Sequence, residues 1–294
     1  MAKIKFITDS ASDTPREYAK AKNIDVLPFH IYFRDNKIDQ NEYLDGIDMD
    51  VEKLFDIVER GGGSPNSSQV TAFDMEEHMR ALVAKNEYDT YIFTTISSAG
   101  SPTYSNIHAV KKSMEADGIK FDLRIIDSKI YTVCFYFTIK AGIEAYEAGK
   151  NADEICEIMK KRIDNTEIYL VAESLEYLKR GGRIKGASAL VGTLLDIKPI
   201  LTVHEGLVAP YDKIRGMKKA LNKIIDIVKE KTKDGGYIYS IVYSTKTESL
   251  EMFKNMVNEA LPGESVDVLR VGSTIGVHIG PGLCGLMFQK DIKN

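Results

Sequence analysis

The sequence predicts an α/β protein of two domains, the first a mostly parallel sheet with flanking helices and the second an α+β unit. Three observations support this. Three short apolar segments of the first half each end in Ser or Asp-Ser and run into a helical pattern, the order of a parallel sheet covered by helices. The second half instead places two strand-like segments either side of His204-Glu205-Gly206, a hairpin signal. At 294 residues the chain has room for two domains of ordinary size.

In order, residues 3–8 alternate polar and apolar and stop at Asp9-Ser10. Asp13-Thr14-Pro15 opens a helix, with Thr14 as N-cap and Pro15 at the first helical position. Residues 26–33 read as one strand. Val51, Leu54, Phe55 and Val58 share one helix face, and Gly61-Gly62-Gly63 stops that helix. Residues 88–95 form a buried strand ending in Ile96-Ser97-Ser98, with a helix from Pro102. Residues 123–126 are the third strand, ending in Asp127-Ser128 before a long apolar helix. A helix over 154–163 and a strand over 168–171 mark a transition, so the domains are read as 1–165 and 166–294. Beyond it come the hairpin of 197–203 and 207–211 and a helical stripe of Met217, Ala220, Leu221, Ile224 and Val228. A strand at 237–243, a helix face of Leu250, Phe253, Val257 and Ala260, and a strand at 266–271 follow. The Gly-rich apolar segment 271–288, which holds His278, comes last.

Composition narrows the functional classes. With 44% hydrophobic and 28% charged residues the chain reads as soluble and globular. A net charge of −4 argues against nucleic acid or an anionic membrane as the main partner. No secretory signal is visible at the N-terminus, and the apolar run 131–143 is too short, and too interrupted by Lys140, to span a bilayer. Cys134, Cys156 and Cys284 lack metal-type spacing and read as packed free thiols in a reducing cytoplasm. Phosphate-loop, nucleophile-elbow, H-E-x-x-H and dinucleotide fingerprints are all missing from the sequence.

Ligands of open parallel sheets bind at the carboxyl ends of the strands. Thr8-Asp9-Ser10, Ser97-Ser98 and Asp127-Ser128 fall there, and Asn66-Ser67-Ser68-Gln69 follows the triple glycine. Hydroxyls beside helix N-termini make an anion site, and equally make ordinary helix caps. His278 lies among four glycines, Gly272, Gly276, Gly280 and Gly282, which permit close backbone approach. His30, His78, His108 and His204 have weaker contexts, with no evident partners for the two on helices, His78 and His108. Two basic segments, 178–185 and 213–219, suit either a solvated surface or docking of an acidic or phosphorylated partner. A Ser-His-Asp hydrolase could be assembled from Ser97 or Ser98, His278 and Asp127, though no spacing demands it.

These segments together resemble the DegV family of fatty-acid-binding proteins, which includes the carrier subunit of bacterial fatty-acid kinase. The resemblance runs from Ile7 to Phe288. It rests on Thr8-Asp9-Ser10 with Asp13, Ser67-Ser68-Gln69, Ile96-Ser97-Ser98 with Ser101 and Thr103-Tyr104, and Asp127-Ser128. Residues 175–183 and 197–202, Glu205-Gly206, residues 213–216 and residues 276–282 extend it. It implies an N-terminal domain of the DegV/dihydroxyacetone-kinase type. It also implies a long-chain fatty acid in a buried tunnel, bound and carried or presented, with no catalysis by the chain itself and no cofactor. The carboxylate would be held by hydroxyls mapping to Ser67 and to Ser97 or Ser98, and by His278. Ser10, Ser68, Ser128, Thr202 and Arg215 are secondary candidates. Arg180 and Arg183 would dock a fatty-acid kinase subunit, and lipid exchange implies transient membrane contact. Three departures stand out: Ser67 and Val70 replace the family's usual Thr and Pro, Gly100-Ser101-Pro102 interrupts a Leu-Ser-Gly pattern, and the aromatic segment 131–137 replaces small residues. A serine-type hydrolase and a sensor of a small polar metabolite remain the alternatives.

Overall fold

Parallel pairing organises the first half of the chain. The computed structural model describes residues 2–33, 42–185 and 196–292. Strand β1 (Ile4–Asp9) runs into a single 3-10 turn, Ser10–Ser12, then helix α1 (Arg16–Ala21), β2 (Asp25–Leu27), β3 (His30–Phe33) and β4 (Glu42–Leu44). Next come α2 (Val51–Glu59), β5 (Pro65–Ser68), α3 (Ala72–Ala84), β6 (Thr90–Thr95) and α4 (Thr103–Ala116). The half closes with β7 (Asp122–Asp127), α5 (Val133–Glu147) and α6 (Ala152–Asp164). The sheet β2-β1-β6-β7 is parallel throughout, as the repeated strand-then-helix order predicts.

Two local readings differ. The stretch read as one strand over 26–33 is broken at Pro28, which has no N–H to donate. Its first part joins the parallel sheet, and its second part joins an antiparallel β4-β3-β5 sheet. Helix α1 starts at Arg16, with Pro15 at the capping position and no side-chain cap; the Thr14 hydroxyl pairs with Ser12 instead.

The second half contains β8 (Thr166–Ala172), α7 (Glu176–Gly181), β9 (Ile197–His204), β10 (Leu207–Arg215), α8 (Met217–Lys231) and β11 (Tyr237–Tyr243). It ends with α9 (Glu248–Ala260), β12 (Val266–Arg270), α10 (Ser273–Ile279) and β13 (Leu283–Lys290). The order β10-β9-β8-β13-β11-β12 is antiparallel except for the β11–β12 pair. Helices α8 and α9 pack on one face of this sheet. On the other face, Leu170, Leu201, Val242 and Met287 join the same apolar core as Phe6, Ile92 and Phe93 of the parallel sheet.

Two features of this shared core position the site. Helix α5 is buried on almost every side, which explains its all-round apolar sequence without a membrane. Among the described residues no helix is long and apolar enough to cross one. Short α10 crosses from the second sheet back into the first half, where Val277 packs with Val51, Leu54 and Phe55. Glycine allows that approach: a Cβ on Gly276 would come within 2.8 Å of the Val51 side chain.

Candidate functional site: a narrow apolar cavity with one polar wall

A cavity lies where the two sheets meet. The β6–α4 loop contributes Ile96, Gly100, Ser101 and Pro102, and the start of α5 contributes Tyr131, Thr132 and Cys134. Ile168, Leu170, Val203, Val208, Val242 and Leu283 of the second sheet form the apolar floor. It is narrow, with a cavity volume of about 80 Å³.

Polar groups line the cavity as well. Strand β5 delivers Ser67 and α10 delivers His278, and the Ser67 hydroxyl lies 2.8 Å from His278 Nε2. Thr274, Gln69 and the exposed Arg183 also line the cavity. Burial, then the nearby Arg183 and Arg180 charges, hold the His278 imidazole down at about 4, so at neutral pH it is uncharged. Its Nδ1 is buried without a hydrogen-bond partner among the described residues. That nitrogen faces Gly181 of α7, where a Cβ would stand 2.8 Å from it. The ring is therefore fixed by packing on one side and by Ser67 on the other.

The strand-end hydroxyls behave differently. Ser97 is buried and donates to the Gly206 carbonyl at 2.7 Å, and the Tyr131 hydroxyl donates to the same oxygen at 2.6 Å. These two bonds seat the β9–β10 turn on the first half of the chain. Ser98 is exposed and donates to Asp127. Ser10 donates to Asp45 and accepts from the Phe29 N–H, and Ser128 closes a local turn with Ile130. Ser68 pairs with His30 across the β3–β5 ladder, Thr202 sits within β9, and Arg215 is exposed at the end of β10. Arg180 is exposed, bonds Ser64 and lies over the Tyr177 ring. Of the four principal candidates the structure brings Ser67 and His278 together. Ser97 lies behind the cavity lining and Ser98 outside it. The grouping of Ser98 and Asp127 with His278 does not form, since Ser98 and Asp127 bond each other and His278 bonds Ser67.

Three aspartates behind the cavity lining were not among the candidate site residues. Asp9 accepts from the Ile96 and Ala11 N–H groups, and burial pushes its carboxyl up to about 7 against those two bonds. Burial and the neighbouring Asp45 raise Asp13, which accepts from the Thr132 hydroxyl. Burial also raises Asp45, against hydrogen bonds from Ser273, Thr274 and Ser10. Asp9 and Asp13 sit in a segment the sequence singles out, but Asp45 precedes Gly46 and reads as an ordinary turn. His78, for which no partner was evident, pairs with Asp25. Of the aromatic segment 131–137, only Tyr131 reaches the cavity among its aromatic residues; Phe135, Tyr136 and Phe137 pack into the core. No group of three or more metal-ligating side chains occurs among the described residues.

Known proteins share this architecture. A family model described as uncharacterised protein, DegV family, matches residues 3–291. A DegV domain-containing protein of Clostridium perfringens is 32% identical, over 98% of this chain and 99% of its own. A fatty-acid-binding DegV family protein of Streptococcus agalactiae superposes with a TM-score of 0.87 at 25% identity, covering 100% of both chains. A DegV family protein of Thermus thermophilus, described for its fatty acid binding, gives 0.86 at 25% identity, over 98% of this chain and 99% of its own.

Proposed function

The chain belongs to the DegV family, and from that premise we propose that it binds one long-chain fatty acid, tail in the cavity and carboxylate against Ser67 and His278, and carries or presents it without transforming it. The observation that carries this reading is a mostly apolar cavity whose lining also holds the Ser67–His278 pair. Each buried CH₂ is worth about 0.8 kcal/mol, so the narrow floor favours a slender acyl chain. Loss of ligand freedom offsets part of that gain. A carboxylate entering the protein needs donors. A neutral imidazole can donate from Nε2 to Ser67, which frees the Ser67 O–H for the ligand. Arg183 adds a cation to the same lining.

The finer part of the proposal is presentation to a fatty-acid kinase subunit, with exposed Arg180 and Arg183 as its docking cations and transient membrane contact for lipid exchange in the cytoplasm. A carrier role without catalysis fits the imidazole: at about 4 it is a weak base, and among the described residues no carboxylate bonds its Nδ1.

The test is native mass spectrometry of the purified protein, followed by organic extraction. A mass increment equal to one fatty acid is expected, and Ser67→Ala should weaken rebinding roughly tenfold, one hydrogen bond to a charged group. A polar metabolite in place of lipid would overturn the reading, as would labelling of Ser67 by a fluorophosphonate probe with accompanying ester turnover.

A further inference from the structure

Helix α10 reaches the cavity from the second sheet, and what fixes its start lies in the first half of the chain. Asp45 is fully buried and accepts from the Ser273 N–H and hydroxyl through Oδ1, and from the Thr274 and Ser10 hydroxyls through Oδ2. Asp13 Oδ1 stands against the preceding residue, Gly272, where a Cβ would come within 2.3 Å of it. The same carboxyl accepts the hydroxyl of Thr132, a cavity-lining residue with φ 57° and ψ −154°. That conformation is nearly confined to glycine and persists only where neighbours enforce it. Two adjacent carboxyls therefore hold both the start of the helix that carries His278 and a strained residue of the cavity lining.

We propose that Asp13 and Asp45 are positioning residues for the site: they clamp α10 and Thr132 so that His278 meets Ser67 in the cavity lining. This rests on the reading of that cavity as the ligand site, but the clamp itself acts in the empty protein. Burying two neighbouring carboxyls costs stability. A fold seeking stability alone would do as well with apolar contacts at these positions, whereas a fixed imidazole needs directed hydrogen bonds. Asp13 also has a left-handed backbone, φ 51°, which Asn tolerates, so the isosteric amide tests the carboxylate without straining the chain.

Asp13→Asn and Asp45→Asn should each weaken binding of palmitate roughly tenfold, and each should shift the His278 imidazole ¹⁵N signals in the ligand-free protein. Ser273→Ala removes one bond to Asp45 without touching the cavity lining, and should shift the same signals in the same direction by less. Asp25→Asn, which disturbs the Lys5 and His78 pairs outside the cavity lining, is the control for lost stability. It should lower the melting temperature while leaving affinity and the His278 signals as in the parent. The proposal is overturned if both clamp variants keep parental affinity and parental imidazole signals, or if Asp25→Asn costs as much affinity for the same loss of melting temperature. Should the parent bind no fatty acid, the function proposed above fails, and the imidazole signals of the empty variants still decide whether the clamp exists.

Discussion

The carboxyl edge of the parallel sheet and the Ser67–His278 pair offer similar chemistry, hydroxyls close to helix ends, and use it in opposite ways. At the sheet edge every strand-end serine is committed: Ser10 to Asp45, Ser97 to Gly206, Ser98 to Asp127 and Ser128 to Ile130. The Ser67–His278 pair comes from an edge strand of the small antiparallel sheet and from a short helix late in the chain, and it lines the cavity. The general rule about strand ends thus locates the neighbourhood of the cavity, while the hydroxyl proposed to meet a ligand, that of Ser67, belongs to another element. Committed donors hold the walls.

Removing a committed group should produce the largest effect, on stability. Asp9→Ala leaves the buried Ile96 and Ala11 N–H groups without partners, and should cost about 3 kcal/mol in urea unfolding. Fatty-acid affinity measured on the fraction still folded should be close to parental. A loss of affinity beyond the unfolded fraction would erase the division between the two regions.

The same two regions should differ in sign with pH. Asp9, raised to about 7, favours folding at low pH, and its contribution is lost as pH rises from its unfolded value of 3.8 through 7. His278, lowered to about 4, favours folding above its unfolded value of 6.5, and that contribution is lost as pH falls towards 4. Between 4 and 6.5 the unfolded chain carries one proton for this pair, on the histidine, and the folded chain also carries one, on the aspartate, so their slopes oppose each other. Relative to the parent, His278→Phe should lose stability as pH rises across this window, and Asp9→Asn should lose it as pH falls. Denaturant midpoints at pH 4.5 and 6.5 measure both; slopes of the same sign in the two variants would refute the pairing.

How much of this was legible depends on sequence distance. The parallel sheet and the hairpin at His204-Glu205-Gly206 follow from period and turn chemistry, which act within a few residues. Splitting residues 26–33 between two sheets was available from Pro28, whose missing N–H outweighs the apolar run around it. The Ser67–His278 contact joins residues 211 apart, and no periodicity reports such a contact. Family resemblance suggested both residues, and the fold brings them together. Asp45 was hidden for another reason: Asp-Gly is a common turn signal, and a turn is also what its backbone forms before the side chain reaches Ser273. The commitment of Ser97 to Gly206 was equally hidden, because the acceptor is a carbonyl with no side chain to mark it.

The smallest predicted effect makes the sharpest test of the comparison. Ser98 stands one residue from Ser97 in the motif that suggested a carboxylate site, yet it is exposed and its hydroxyl serves Asp127. Its backbone N–H also bonds Asp127, at 3.0 Å, and survives replacement by alanine. Ser98→Ala should therefore change stability by less than about 0.5 kcal/mol, the ordinary range for a surface substitution. Palmitate affinity by titration should stay within about twofold of the parent, well short of the tenfold that one lost hydrogen bond to a charged group would give. A tenfold loss would mean that the strand edge holds the carboxylate after all. The Ser98–Asp127 bond would then have to open on binding, and the Ser67 hydroxyl held by His278 would need another role.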